Sequence, residues 1–274
     1  MNSKQILAAI MVTGIALTSH AALGSVIVTT YSGSANFGGA SVGYASGSVA
    51  PNPNSNTDPV AVGIGGDRFS TTNLAYDFSS SGQFNTWCVD IYHWMNGGTV
   101  TYTVGNESDL ATVLTNLRPG IPDGMQRVSQ LIRLANEVYG SVDTKTESAA
   151  FQLAVWAIAY GTPDQSGNYH INTTDPGFHV GSSATVNAPF GALANDWLGN
   201  LNIAPITGNY SLAYLNDGTR DSTQDMIVLT NRSNTIPEPA SIALLGLGLG
   251  GLGFSRRRNR NNGNARTNFV TRVI

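Results

Sequence analysis

Residues 149–160, AAFQLAVWAIAY, are apolar on nearly every side when they are placed on an α-helix. Such a helix has no face for solvent, so the rest of the domain must cover it all round. Thr144 and Glu147 stand before it at capping-box spacing, and Gly161 with Pro163 ends it. The segment therefore predicts a buried helix around which the other elements pack.

A second, amphipathic helix is predicted just before it. Apolar residues recur there at helical spacing, namely Val128, Leu131, Ile132, Ala135 and Val138. Asp123 and Gln126 form a capping-box start, and Gly140 stops the run. A shorter helix is predicted at 192–198.

Short β-prone runs flank these helices, at 25–31, 41–49 and 60–64 before them and at 211–215 and 226–230 after them. Residues 84–95, FNTWCVDIYHWM, alternate as one long strand, with Cys88 and Asp90 on one face and His93 on the other. The turn 96–98 would join it in a hairpin to a strand at 99–104.

These patterns predict an α+β fold, a β-rich exported domain with two helices inserted between N-terminal strands and closing C-terminal strands. The helices are expected at 125–139 and 147–160. The alternative is a pure β-sandwich, which the two capped helical runs disfavour.

The N-terminus has the pattern of a secretory signal peptide over residues 1–21. Lys4 is followed by an apolar run from Ile6 to Leu17 and then by the small residues Ser19 and Ala21. This order predicts export and cleavage after Ala21.

The C-terminus carries a second targeting pattern at 236–260. Pro237, Glu238 and Pro239 form an extended stretch open to a processing enzyme. The uncharged run 240–254 is long enough to cross most of a hydrocarbon core of about 30 Å, so we expect it to hold the precursor in the membrane. Positive side chains that resist translocation follow, at Arg256, Arg257, Arg258 and Arg260.

This constellation resembles the PEP-CTERM sorting signal of Gram-negative bacteria. The resemblance implies an exosortase as partner, processing near Pro-Glu-Pro, and a final place in the cell envelope, at the cell surface or in the extracellular matrix, as in a biofilm. The expected organisation is a signal peptide at 1–21, an ectodomain at 22–235, the sorting signal at 236–260 and a polar tail at 261–274.

The charge and cysteine content of the exported part exclude several classes of function. Between residues 22 and 236, sixteen acidic residues outnumber seven basic ones, so no basic patch is expected and nucleic acid is excluded as a partner. Cys88 is the only cysteine, which excludes an internal disulfide and a structural zinc site. We expect no metal, no cofactor and no turnover enzyme.

Two segments stand out chemically. Cys88 lies in the aromatic strand segment WCVDIY, and Gln152 lies in the buried helix segment FQLAVW with Trp156 four residues on. A buried glutamine costs about 1–3 kcal/mol unless its amide is hydrogen-bonded. After signal cleavage Lys145 is the only lysine before the tail, so the chain has few amines of its own.

These segments resemble the paired motifs of the thioester domains in surface adhesins of Gram-positive bacteria. The resemblance implies that Cys88 supplies sulfur and Gln152 the acyl group of an internal thioester, that ammonia is lost, and that Trp156 shields the bond. An amine or hydroxyl on another surface, such as extracellular polysaccharide, would then become covalently attached at Gln152.

Other interpretations of the same residues stay open. Cys88 could be an unreactive buried side chain, with Gln152 bonded to a neighbouring backbone group. The protein would then be a non-covalent matrix or carbohydrate-binding protein, and four aromatic residues are candidates for stacking on sugars, namely Tyr169, Phe178, Phe190 and Trp197.

Two further chemistries are disfavoured by the sequence. A cysteine hydrolase would need a histidine beside Cys88 (His93, His170 or His179) and an orienting Asp90 or Asp175, but the strand alternation puts His93 on the opposite face. The acidic turn 217–225 lacks the EF-hand pattern for calcium.

Overall fold

The computed structural model describes residues 26–37, 39–50, 59–72, 78, 81–95, 97–117, 123–218 and 223–231. The chain divides into two compact units, residues 1–231 and 232–274, and every described residue belongs to the first. The predicted signal peptide (1–21), sorting signal (236–260, with its membrane run 240–254) and tail (261–274) lie outside the described residues.

Strands and helices are both present in this unit, which confirms the α+β class. The strands are β1 Val26–Ser34, β2 Asn36–Phe37, β3 Ala40–Ser41, β4 Ala45–Ala50, β5 Val60–Ile64, β6 Asp67–Thr71, β7 Gln83–Cys88, β8 Thr99–Gly105, β9 His179–Val180, β10 Tyr210–Asn216 and β11 Met226–Asn231. The helices are α1 Glu107–Leu117, α2 Gly124–Val138, α3 Lys145–Tyr160, α4 Ser183–Asn187 and α5 Pro189–Asn200. Within the described ranges, none of these helices combines the length and the apolar character needed to span a bilayer.

Six of the strands form a closed antiparallel barrel in the order β1-β6-β7-β11-β10-β8. Alternation along β1 sets its two faces, because Ile27 is buried inside whereas Val26 and Val28 are about half exposed on the outside. Phe69 stacks on Phe84 inside the barrel with ring centroids 6.3 Å apart. Closure leaves no free edge between these strands, which rules out the pure β-sandwich.

Helix α3 is enclosed as predicted, and every residue from Ser148 to Tyr160 is buried. It packs on the outer side of β7, on α2 and α5, and on a three-stranded sheet in the order β5-β4-β9. Trp87 of β7 points out of the barrel and packs on Phe151 of α3, with ring centroids 4.7 Å apart. The barrel and the helices therefore share one hydrophobic core.

Different contacts hold the two ends of α3. The capping box of Thr144 and Glu147 is present at its start, as predicted. At its end, the buried guanidinium of Arg127 donates to the carbonyls of Ile158 at 2.6 Å and Gly161 at 3.0 Å. The predicted capping box at Asp123 is wrong, because this side chain makes no cap bond and instead forms an ion pair with Arg127 at 2.8 Å.

Other sequence predictions were also wrong. The long strand at 84–95 ends at Cys88, and β7 pairs with β6 and β11 rather than forming a hairpin with β8. The alternation of residues 84–95 predicted pairing with the following segment, whereas β7 pairs with the preceding strand β6 and with the distant strand β11. The described part of the chain has five helices between the early strands and β10, whereas the sequence predicted three, because α1 and α4 were not predicted.

Candidate functional site

Gln152 pairs with the main chain of Cys88 at the last residue of β7. The Val89 N–H donates to the Asp225 carbonyl at 3.0 Å, so by strand alternation the N–H and C=O of Cys88 point away from β11. β6 begins at Asp67, opposite Thr86, and so provides no partner there. The Gln152 side chain takes that place, since its Oε1 accepts from the Cys88 N–H at 3.1 Å and its Nε2 donates to the Cys88 carbonyl at 2.8 Å. The two residues that the sequence paired are in direct contact.

The Cys88 thiol is buried beside this amide. Its Sγ donates to the Asp90 carbonyl oxygen at 3.1 Å. Burial raises the pKa of the Cys88 thiol well above its usual range, the negative charge of Asp90 acts in the same direction, and the Trp156 side chain opposes both. The thiol is therefore neutral at ordinary pH, and it needs a proton acceptor before it can act as a nucleophile.

Trp156 lies one helical turn beyond Gln152 on α3 and interacts with the Cys88 thiol. It is 4% exposed and packs against Phe178 with ring centroids 6.1 Å apart. Its indole N–H is buried and has no well-aligned hydrogen-bond acceptor among the described residues. A buried donor without an acceptor is uncommon, and this one lies next to the sulfur of Cys88, the only cysteine in the chain.

Cys88 and Trp156 line a cavity of about 310 Å³. The other lining residues come from the barrel, from the loop after β7 and from the β4–β5 sheet: Tyr31, Tyr44, Val49, Val62, Gly63, Gly65, Asp67, Ile91, His93, Trp94, Met95 and Gln224. Trp94 is 48% exposed, so an aromatic side chain stands where the cavity meets solvent. The cavity has room for the end of a side chain or one sugar-sized group beside the thiol.

The sequence analysis placed His93 on the strand face opposite Cys88, and this prediction is wrong. Because β7 ends at Cys88, residues 89–95 form a loop, and His93 lines the same cavity as the thiol. Its Nδ1 lies 2.5 Å from Oδ2 of Asp90. The other predicted histidines are elsewhere, with His170 paired to Asp164 at 2.9 Å and His179 bonded through Nδ1 to the Asp175 carbonyl at 2.9 Å.

Asp67 is a cavity residue that sequence reasoning missed. Tyr44 donates from its hydroxyl to Oδ1 of Asp67, and the Tyr44 and Tyr31 hydroxyls are 2.9 Å apart. Burial raises the pKa of Asp67 to about 7, and the Tyr44 hydrogen bond opposes that rise. Asp67 is the first residue of a short strand, and its partner is 23 positions away, so no local pattern marked it.

The remaining candidates are less suited to function. Tyr169 and Phe178 are buried and cannot stack on a sugar, whereas Phe190 and Trp197 are partly exposed. Asp217 and Asp225 bond the turn between β10 and β11 from within. Across the described ranges, His, Cys, Asp and Glu form no group of three that could hold a metal ion.

Comparison with known proteins identifies one segment. Residues 235–258 match the PEP-CTERM protein-sorting motif. The chain carries an exosortase sorting signal. It is therefore an exported protein, sorted to the surface or the extracellular space of a Gram-negative bacterium. The match includes the Pro-Glu-Pro at 237–239 and the arginines at 256–258, and Arg260 lies just beyond it. No curated protein and no solved structure matches the chain.

Proposed function

We propose that this exosortase-sorted protein attaches covalently to amine or hydroxyl groups of a surface or matrix through an internal thioester between Cys88 and Gln152. One observation carries the proposal. The carboxamide of Gln152 is held by two hydrogen bonds against the main chain of Cys88, the residue that bears the only thiol and lines a cavity. Export delivers that cavity to a surface where acceptors are abundant.

The thioester can form from the atoms of Cys88 and Gln152 alone. The Cys88 sulfur attacks the side-chain carbonyl carbon of Gln152, the C–N bond breaks, and nitrogen leaves as ammonia with the thiol proton. The Cys88 N–H already donates to the oxygen that becomes negative during attack, at 3.1 Å. A fixed N–H at that distance stabilises an oxyanion in the way that backbone donors do in acyl-transfer enzymes.

Opening of the bond transfers the acyl group to an acceptor. An amine or hydroxyl in the cavity attacks the Gln152 acyl carbon, the C–S bond breaks and the Cys88 thiol is freed. The Trp156 N–H lies beside that sulfur and can stabilise the leaving thiolate, since hydrogen bonds to charged groups are the stronger ones. The surrounding apolar walls slow hydrolysis by limiting access of water.

Intact mass spectrometry of the processed, exported protein tests the proposal. We expect the wild-type chain to be one ammonia lighter than its sequence, and methylamine to add across the bond and free one thiol. Cys88→Ala and Gln152→Glu each remove one partner, and both variants should have their full sequence mass.

A matched control is available on the neighbouring helix. Gln126 is exposed on α2, so Gln126→Glu makes the same chemical change away from the cavity and should keep the loss of ammonia. A wild-type mass equal to the sequence, with Cys88 titrating as a free thiol after unfolding, would refute covalent attachment.

Non-covalent carbohydrate binding is the second candidate, and a separate cavity favours it. A space of about 370 Å³ is lined by Trp197 together with Glu137, Asp196 and Asn200. An indole beside carboxylate and amide groups suits a sugar ring with its hydroxyls. If covalent attachment fails, loss of matrix-polysaccharide binding in Trp197→Ala would support this candidate instead.

A further inference from the structure

The barrel register brings a carboxyl group close to the thiol. Asp67 of β6 is directly opposite Thr86 of β7, and Cys88 is two residues beyond Thr86. Residues two apart on a strand share a face, so the Asp67 and Cys88 side chains are diagonal neighbours, with Cα atoms roughly 7–8 Å apart. Both residues line the same cavity, so a molecule that reaches the sulfur also meets this carboxyl group.

Asp67 is also an unusual buried acid. Among the described residues, no Lys, Arg or His lies within ion-pair distance of it, and the hydrogen-bond donor to its carboxylate shown by the structure is Tyr44. Burial without a cation disfavours the charged form, which raises the pKa of Asp67 to about 7. Its carboxyl group can therefore both accept and release a proton near neutral pH, as a general acid–base group must.

We propose that Asp67 is the general base that accepts the proton of the incoming nucleophile when the Cys88–Gln152 thioester is opened. This role depends on the proposed thioester. The unprotonated amine attacks the Gln152 acyl carbon, an N–H proton passes to the Asp67 carboxylate, and the C–S bond breaks. The proton then passes to the departing sulfur, so that the products are an amide, a neutral thiol and the original carboxylate.

Other titratable groups surround this carboxyl group. Tyr44, in the segment before β4, donates to it directly, and Tyr31 of β1 bonds to Tyr44. The Cys88 thiol of β7 lies on the same face, and the Asp90–His93 pair lies in the loop that follows. His93 is the other base of the cavity, and the experiment must separate it from Asp67.

The experiment measures thiol release by methylamine from the processed protein, as a function of pH, with the rate expressed per concentration of unprotonated amine. Because the carboxylate form is required, we expect the wild-type rate to fall as the pH drops through a midpoint of about 7. Asp67→Asn keeps an oxygen for Tyr44 but cannot take up a proton. It should react about a hundredfold more slowly and lose this pH dependence.

Tyr44→Phe provides an independent test. If Asp67 had only a structural role, this substitution would not move the midpoint of the pH profile. The Tyr44 hydrogen bond lowers the pKa of Asp67, so its loss should move the midpoint to higher pH. Asp225→Asn is the matched control, because Asp225 is another buried aspartate bonded by a tyrosine, Tyr214, and it does not line the cavity. It should leave the rate and the midpoint unchanged.

The outcomes separate this proposal from the thioester itself. A wild-type mass without the loss of ammonia refutes the thioester, whatever Asp67 does. With the thioester present, a wild-type rate and profile in Asp67→Asn overturns the role of Asp67, and loss of the profile in His93→Ala alone assigns the base to the imidazole. Asp67→Asn cannot be tested if it does not accumulate the thioester. In that case an unchanged midpoint of the pH profile in Tyr44→Phe overturns the role of Asp67.

Discussion

Gln152 belongs to helix α3, but its side chain makes the two main-chain hydrogen bonds to Cys88 that a neighbouring strand would otherwise make. Its amide carries one acceptor and one donor in the arrangement of a peptide group, and it satisfies the N–H and C=O of Cys88 where β6 provides no partner. These bonds offset the cost of burying a glutamine in α3. The same bonds place an acyl carbon beside the residue that bears the thiol, so packing and the proposed chemistry require the same contact.

Trp156 allows a test at the level of a single hydrogen bond. Trp156→Phe keeps an aromatic ring in the cavity wall but removes the N–H beside the Cys88 sulfur. Since Trp156 lowers the pKa of this thiol, the thiol freed by methylamine should titrate at higher pH in the variant. Opening by methylamine should be about tenfold slower, the effect of losing one hydrogen bond to a charged atom. Thiolate absorbance against pH gives the titration.

Trp87 supplies the control for this substitution. It is also fully buried, and its indole N–H likewise has no well-aligned acceptor among the described residues, but it points to the other side of β7, against Phe151. Trp87→Phe should lower stability without changing the thiol titration. Equal titrations in the wild type and Trp156→Phe would contradict the role given to Trp156.

At the level of elements, α3 positions the candidate site and is itself held at both ends. Its first turn has the capping box of Thr144 and Glu147, whereas its last carbonyls are bonded by Arg127 from α2. The guanidinium of Arg127 also lies 5.5 Å from the ring centroid of Tyr169. A single buried cation thus ties α2, the end of α3 and the following loop together.

We expect Arg127→Met to lower the free energy of unfolding by about 3 kcal/mol, because it leaves buried carbonyls without donors and Asp123 without its cation. Urea unfolding of the exported protein measures this. Lys145→Met removes an exposed cation at the start of α3 and should change stability by less than about 0.5 kcal/mol. Similar losses in both variants would show that Arg127 is not the group that holds the end of α3.

At the level of the whole molecule, the folded domain and the sorting signal have separate tasks. The domain of residues 26–231 carries the cavity, and the motif at 235–258 sorts the protein to the surface or the extracellular space. A group that reacts with amines is useful only where acceptors are found. Export therefore gives the proposed thioester its context.

If the exosortase recognises the Pro-Glu-Pro and the arginine cluster, changes at either position should impair processing of the precursor. Deletion of residues 256–260 removes the arginines that we expect to retain the tail, and Glu238→Ala changes the centre of the Pro-Glu-Pro. Both variants should accumulate unprocessed precursor in the membrane fraction, as measured by immunoblot of cell fractions. Replacement of residues 261–274 by a neutral tail of equal length should leave processing intact. Normal processing of both variants would contradict exosortase recognition of these residues.

Sequence alone determined the features that depend on local pattern or on residue type. The buried helix α3, its capping box, the strands that close the domain and the sorting signal could all be predicted, because periodicity, capping and hydropathy are local. Resemblance to a family, rather than local pattern, suggested that Cys88 pairs with Gln152. In the structure the Gln152 side chain is hydrogen-bonded to the main chain of Cys88.

Only the tertiary structure decided which distant groups meet. The end of β7 at Cys88, which brings His93 into the cavity, depends on barrel closure by β11, more than 130 positions further along the chain. Asp67 lines the same cavity as the thiol because β6 pairs with β7 in one particular register, and Tyr44 bonds to Asp67 from outside the barrel strands. Strand register and burial are properties of the closed barrel, so the acid in the cavity and its raised pKa have no signature in the local sequence.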